Sequence, residues 1–145
     1  MKCLLQRVSY AKVYIENKLY SQIDKGLLVL VCFCVNDTRQ NIELMVKKII
    51  NLRIFEDNNK KFNFSLKDIN GSIMLVSQFT LAADTKKGNR PSFFEAMEPN
   101  KAIEFYNEMI EQFKNNNIEI RTGIFGASMR IELTNDGPVT IMLEN

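Results

Sequence analysis

The chain has 145 residues, with 19 Lys and Arg against 17 Asp and Glu, and no histidine. That length suits one domain with a buried core, and a net charge of +2 excludes an all-over nucleic-acid coat while leaving room for a local basic patch. The absent histidine excludes Ser-His-Asp and Cys-His nucleophile sites, imidazole-ligated zinc and the commonest general base near neutral pH.

Residues 2–8 and 11–16 alternate apolar and polar side chains, as half-buried strands do. Asn17-Lys18 reads as a hairpin turn into a strand at Leu19-Tyr20-Ser21-Gln22-Ile23. After Gly26, the apolar run 27–35 reads as a buried strand too short to span a bilayer. Met1–Arg7 holds no apolar stretch of signal-peptide length, so a soluble, cytoplasmic protein is expected. Cys3, Cys32 and Cys34 lack metal-ligand spacing and read as free, buried thiols in a reducing compartment. No metal or cofactor is expected.

Ile42, Met45, Val46, Ile49 and Ile50 recur at helical spacing, and Asp37 with Gln40 resembles a capping box before them. A turn-rich stretch, 56–60, separates Arg53-Ile54-Phe55 from Lys61–Leu66, and Asp68-Ile69-Asn70-Gly71 is a second turn. Ser72–Leu81 reads as a strand. A second helix carries Ala102, Phe105, Tyr106, Met109, Ile110 and Phe113 on one stripe, with Pro99 near its first turn. Strands at 118–121, 128–134 and 138–143 follow. With no repeat, linker or low-complexity tract, residues 1–145 form a single domain. The order of elements predicts an α+β fold: a mostly antiparallel or mixed, barrel-like sheet with two helices packed on one side.

Three segments ask for more than core packing. Ser77-Gln78-Phe79-Thr80-Leu81 puts polar residues at the end of the apolar strand 73–76, which suits either a site wall or a strand emerging into solvent. Ser77 or Thr80 as nucleophile would need an adjacent base, and no histidine supplies one. The stretch 84–93 gathers Lys86, Lys87 and Arg90 around Gly88, with Phe93 and Phe94 just beyond. It suits phosphates and a stacked base, or a plain charged surface loop without P-loop order. Asn135-Asp136-Gly137-Pro138-Val139-Thr140 has the residues of an ordinary turn between strands, and its Gly-Pro bond is a place where a cis peptide can be held.

In order along the chain, these segments resemble the D-aminoacyl-tRNA deacylase family. Ser-Gln-Phe-Thr-Leu at 77–81 and Asn-Asp-Gly-Pro-Val-Thr at 135–140 match its two signature motifs. Leu5-Gln6-Arg7-Val8, Gly26–Leu30, Arg53-Ile54-Phe55, Ala82–Thr85 and Arg90-Pro91-Ser92-Phe93 extend the likeness over essentially the whole chain. The resemblance implies hydrolysis of the ester between a D-amino acid and the terminal ribose of tRNA, and removal of glycine from mischarged alanine tRNA. It implies a homodimer with active sites at the interface and no membrane partner. Gly137 and Pro138 would reach from one subunit into the other's pocket as a Gly-cisPro motif that rejects L-amino acids. Ser77, Gln78, Phe79 and Thr80 would line that pocket, with Phe125 and Met129 near the substrate.

An editor of D-residues must accept many side chains, so its selectivity has to act on the groups around Cα. Backbone N–H groups of Phe79 and Thr80 would stabilise the oxyanion, and the family's mechanism lets the tRNA 2′-hydroxyl assist in place of a protein base. Lys86, Lys87 and Arg90 are candidate contacts to tRNA phosphates. Ser128, where the family often has Asp, Cys32 in place of a common Gly, and Phe62 and Phe64 in place of Met and Leu bear on substrate preference. The alternative from another class is a non-catalytic RNA-binding module using the basic loop 86–90, which predicts salt-sensitive binding without turnover. A hydrolase of the same fold acting on glycyl-tRNA is a third reading.

Overall fold

A computed structural model describes residues 1–145. In chain order its elements are β1 (Lys2–Ile15), β2 (Lys18–Ile23), β3 (Gly26–Cys32), α1 (Arg39–Asn51), β4 (Phe55–Glu56), β5 (Phe62–Phe64), β6 (Ser72–Ser77), a 3₁₀ turn (Phe79–Ala82), α2 (Pro99–Asn115), β7 (Ile120–Thr122) and β8 (Arg130–Glu144).

The main sheet runs β2-β1-β3-β6-β7, with β8 also paired to β1. The β3–β6 and β6–β7 pairs are parallel and the others antiparallel, so the sheet is mixed. Ser21 Oγ of β2 donates to the Thr122 carbonyl of β7 at 2.7 Å, which draws the sheet toward a barrel. β4 and β5 form a small separate hairpin. The expected α+β architecture, two helices against a mixed, barrel-like sheet, is what forms.

Side-chain alternation along β3 and β6 explains why their sequences are apolar throughout. Leu27, Val29, Val31, Ile73 and Leu75 face the core shared with α1 and α2. Leu28, Met74 and Val76 face a second, smaller core built with Val8, Ala11, Val13 and Ile23. Strands buried on both faces read as continuous hydrophobic runs, and each fully buried Leu, Ile or Val contributes roughly 1.5–3 kcal/mol.

Four local details differ from the sequence reading. Residues 2–15 form one strand, and the following hairpin turns through Glu16 and Asn17, both at positive φ (49° and 63°), the geometry of a two-residue turn matched to strand twist. Thr38, not Asp37, caps α1: the Asn41 side chain accepts the Thr38 N–H at 2.9 Å. Asp37 is buried instead, accepting from the Met1 α-amino group at 2.5 Å and the Cys34 N–H at 2.6 Å. The strand begun at Ser72 ends at Ser77, and residues 79–82 coil into the 3₁₀ turn. Lastly, residues 135–140 do not join two strands; they bulge from within the single strand β8. Gln6 pairs with Thr140 and Val8 with Asn135, so residues 136–139 have no partners on β1.

Candidate active site

A cavity of about 550 Å3 opens where β3 and β6 end, under the start of α2 and beside the 125–129 segment. The Gln78 N–H donates to the Val31 carbonyl at 2.7 Å and ties the exit of β6 to the exit of β3. The 3₁₀ turn begins there. Its first internal bond runs from Leu81 N–H to the Gln78 carbonyl at 3.2 Å, so the N–H groups of Phe79 and Thr80 precede it without a partner inside the turn.

Of the residues singled out from the sequence, Ser77, Gln78, Phe79, Phe125 and Met129 all line this cavity. The Phe125 ring packs on Tyr106, 5.7 Å between centroids, and Tyr106 Oη donates to the Leu75 carbonyl at 2.8 Å. Burial pushes the Tyr106 hydroxyl above its ordinary range, which keeps it a donor. A side chain at Gly123 would collide with Met129 Sδ, so glycine there seats Met129 against the wall. Thr80 is not on the cavity lining; its hydroxyl is exposed and accepts from Gln78 Nε2 at 2.5 Å.

Three further residues line the cavity, of which only Glu98 had no sequence signal. Cys32, at the end of the apolar strand β3, is on the lining, in keeping with its expected bearing on substrate preference. Its thiol donates to the Phe79 carbonyl at 3.5 Å. Burial, helped by neighbouring Cys34, pushes its pKa up to about 12, so it is a neutral donor and not a thiolate nucleophile. Glu98 is the one carboxylate on the lining, and its Oε2 caps α2 by accepting the N–H groups of Asn100 (3.1 Å) and Lys101 (3.4 Å). Phe93 meets Phe79 edge-on, 5.0 Å between centroids at 71°. No group of three or more His, Cys, Asp or Glu side chains is arranged to hold a metal ion.

Gly137 and Pro138 sit elsewhere, at the crest of the β8 bulge, joined by a cis peptide bond. They do not line the cavity of their own chain. Beneath them Arg7 is buried, donating from Nε to the Asp136 carbonyl at 3.0 Å, from Nη1 to the Ile54 carbonyl at 2.8 Å and from Nη2 to Glu56 at 3.2 Å. The Phe62 ring lies against the same guanidinium, 5.6 Å away. The Asn135 side chain closes the bulge by accepting the Val139 N–H at 3.1 Å and donating to Thr140 Oγ1 at 2.8 Å.

Lys86, Lys87 and Arg90 are exposed on a finger outside the cavity lining. Reciprocal backbone bonds between Asp84 and Ser92, 2.8 and 3.0 Å, clasp its base. None of the three cations has an ion-pair partner.

Comparison with known proteins gives one consistent result. A family model described as D-Tyr-tRNA(Tyr) deacylase matches residues 4–144. The chain is 51% identical to a D-aminoacyl-tRNA deacylase of Flavobacterium psychrophilum, covering 100% of this chain and 97% of that protein. It is 48% identical to one from Thermosipho africanus with the same coverage. Among solved structures, a c-Myc DNA unwinding element binding protein superposes with a TM-score of 0.94 at 42% identity, covering 100% of this chain and 99% of that one. A "probable eukaryotic D-amino acid tRNA deacylase" shares the fold, with a TM-score of 0.84 at 16% identity over 98% and 97% of the two chains. No helix is long and apolar enough to cross a membrane.

Proposed function

The chain belongs to the D-Tyr-tRNA(Tyr) deacylase family, and from that membership we propose that the cavity at the ends of β3 and β6 is where it cleaves its ester substrate. It is a hydrolase, a D-aminoacyl-tRNA deacylase. One observation carries the assignment of the site: Ser77, Gln78 and Phe79 meet Phe125 and Met129 in an apolar cavity beside a turn whose first two N–H groups have no partner within it.

Those two N–H groups suit the oxyanion formed when water attacks the ester carbonyl, and each well-placed donor contributes about 3 kcal/mol to the transition state. Family membership implies that the 2′-hydroxyl of the terminal ribose assists the attack in place of a side-chain base, and a protonated Cys32 thiol in a chain without histidine supports that reading. The ester is already activated, and modest help suffices. Besides Glu98, whose carboxylate caps α2, Ser77 and Gln78 are the polar side chains on an otherwise apolar wall, suited to orienting the parts common to every aminoacyl ester.

Selection against L-amino acids belongs to Gly137 and Pro138 of a second copy of the chain. Two features support that arrangement: the bulge lies outside its own chain's cavity, and β8 is hydrogen-bonded along one edge only, which leaves the other free for a homodimer contact. Rigid backbone groups there would clash with an L side chain yet leave a D side chain or glycine room, so glycyl-tRNA(Ala) is a second substrate. The protein acts in the cytoplasm, where charged tRNA is found.

The deciding experiment incubates purified protein with D-Tyr-tRNA and L-Tyr-tRNA. Rapid deacylation of the D form alone is expected; equal rates on both, or none on either, would overturn the reading. The similarity to a DNA-binding protein favours a second reading, nucleic-acid binding without turnover. Salt-sensitive binding of tRNA with no loss of the acyl group would select it.

A further inference from the structure

We propose that Phe94 and the 85–91 finger form a second subsite, outside the cavity, for the single-stranded nucleotides that precede the aminoacylated one. The inference rests on the deacylase reading and adds to it where the rest of the tRNA lies. Phe94 is 91% exposed, the most exposed of the large apolar side chains. Its position is built: the Asp84–Ser92 clasp precedes it, and the Cys34–Ala96 bridge follows, with the Val35 N–H on the Glu95 carbonyl at 3.0 Å. Backbone pinned on both sides presents the ring outward instead of letting it fold back onto the core.

Its neighbours define what fits. Phe93 lines the cavity and packs edge-on against Phe79, so Phe94 stands one residue from the cavity wall. Lys86, Lys87 and Arg90 lie unpaired on the same finger, three cations to the two carboxylates, Asp84 and Glu95, near its base. The Asp84 carboxylate is turned to its own loop, accepting the Lys86 N–H at 2.9 Å. A flat apolar ring two residues past the base of a finger that carries three unpaired cations suits alternating bases and phosphates: the ring stacks on one unpaired base while the cations follow the backbone. A nucleic-acid end, whose terminal nucleotide must reach the cavity with its ester, passes this surface.

The test compares full-length D-Tyr-tRNA with the D-tyrosyl ester of adenosine, which has no upstream nucleotides. Phe94→Ala should raise KM for the tRNA by roughly five- to a hundredfold, an effect confined to that substrate, and Phe94→Tyr should restore it. Replacing Lys86, Lys87 and Arg90 with Ala should flatten the slope of log(kcat/KM) against log salt by about 2 on the tRNA alone. Unchanged tRNA kinetics in both variants would overturn the proposal, as would equal losses on the two substrates. A Phe94→Ala protein that dissociates to monomers in sedimentation would assign the ring to a contact between copies instead. Failure of the deacylase reading looks different: the unaltered protein would hydrolyse neither substrate.

Discussion

Arg7 Nε lies 3.0 Å from the Asp136 carbonyl and 3.4 Å from the Asp136 carboxylate, so a guanidinium only 4% exposed holds the β8 bulge from below. The same cation reaches the Ile54 carbonyl and Glu56, which makes it the joint between β1, the β4 hairpin and the bulge. Replacing Arg7 with Gln leaves at least one of these acceptors unpaired in a buried setting. A loss of about 2–4 kcal/mol is expected in urea unfolding, and L-Tyr-tRNA should become a better substrate relative to D-Tyr-tRNA. Unaltered stability with unaltered selectivity would remove Arg7 from this role.

Gly137 has φ +125°, and a Cβ there would fall 2.8 Å from both Arg7 Nη2 and Val139 Cγ2. Gly137→Ala therefore has to move the crest or displace Arg7. The expected outcome is a drop in stability of about 1–3 kcal/mol with a larger proportional loss of D-selectivity. Gly88, also at positive φ but with open space around it, is the control: its alanine variant meets backbone strain and no collision. Thermal melts and paired D and L assays on the two variants separate site from strain.

Thr80 places its hydroxyl outside the cavity lining, whereas its N–H belongs to the turn's unpaired start. Thr80→Ala should keep kcat within about threefold, since the proposed oxyanion donor lies on the main chain and survives the change. A tRNA ending in 2′-deoxyadenosine should be nearly inert with the unaltered protein. A folded but dead Thr80→Ala variant would point to a side-chain nucleophile.

Burial raises Cys3 and Tyr106 above their ordinary values and takes Cys32 from 9.0 to about 12. The folded chain thus holds these protons more tightly than the unfolded chain does. Their contribution to stability is complete below pH 9 and is lost as pH rises through the folded values. Melting temperature should accordingly fall from about pH 9 upward, more steeply than in a Cys32→Ala variant. In the same range iodoacetamide should label half-exposed Cys34 first and reach Cys3 only on unfolding. Equal labelling of all three native thiols would contradict the burial.

Periodicity exposed most of the framework. The stripes of α1 and α2, and the apolar runs of β3 and β6, follow from helical and two-faced strand burial, and all four formed near their expected places. What stayed hidden was long-range. Asn-Asp-Gly-Pro is a turn by local chemistry, and only its pairing opposite Gln6 and Val8 makes it a bulge within one strand. Asp37 has the right residue type for a cap, but burial beside Met1 gave it another partner and left the cap to Thr38. The wall residue Glu98 carries no pattern at all, because a cavity is set by which chain ends converge and not by any one segment.

The bulge has an arithmetic of its own. From Gln6 to Tyr10 β1 advances four residues while β8 runs six, from Thr140 back to Thr134, so the mismatch is even. An even mismatch preserves the parity of pairing with β1: Ile131 and Leu133 lie opposite Val13 and Ala11, Ile141 and Leu143 opposite Leu5 and Cys3, and each pair packs on the core of its partners. The first pair packs on the smaller core and the second on the larger, which places the bulge at the seam between them. A single-residue deletion within 136–139 would send Ile141 and Leu143 to solvent, whereas a two-residue deletion would leave them inside and erase only the crest. Length variation at this point of the chain is thereby quantised in pairs.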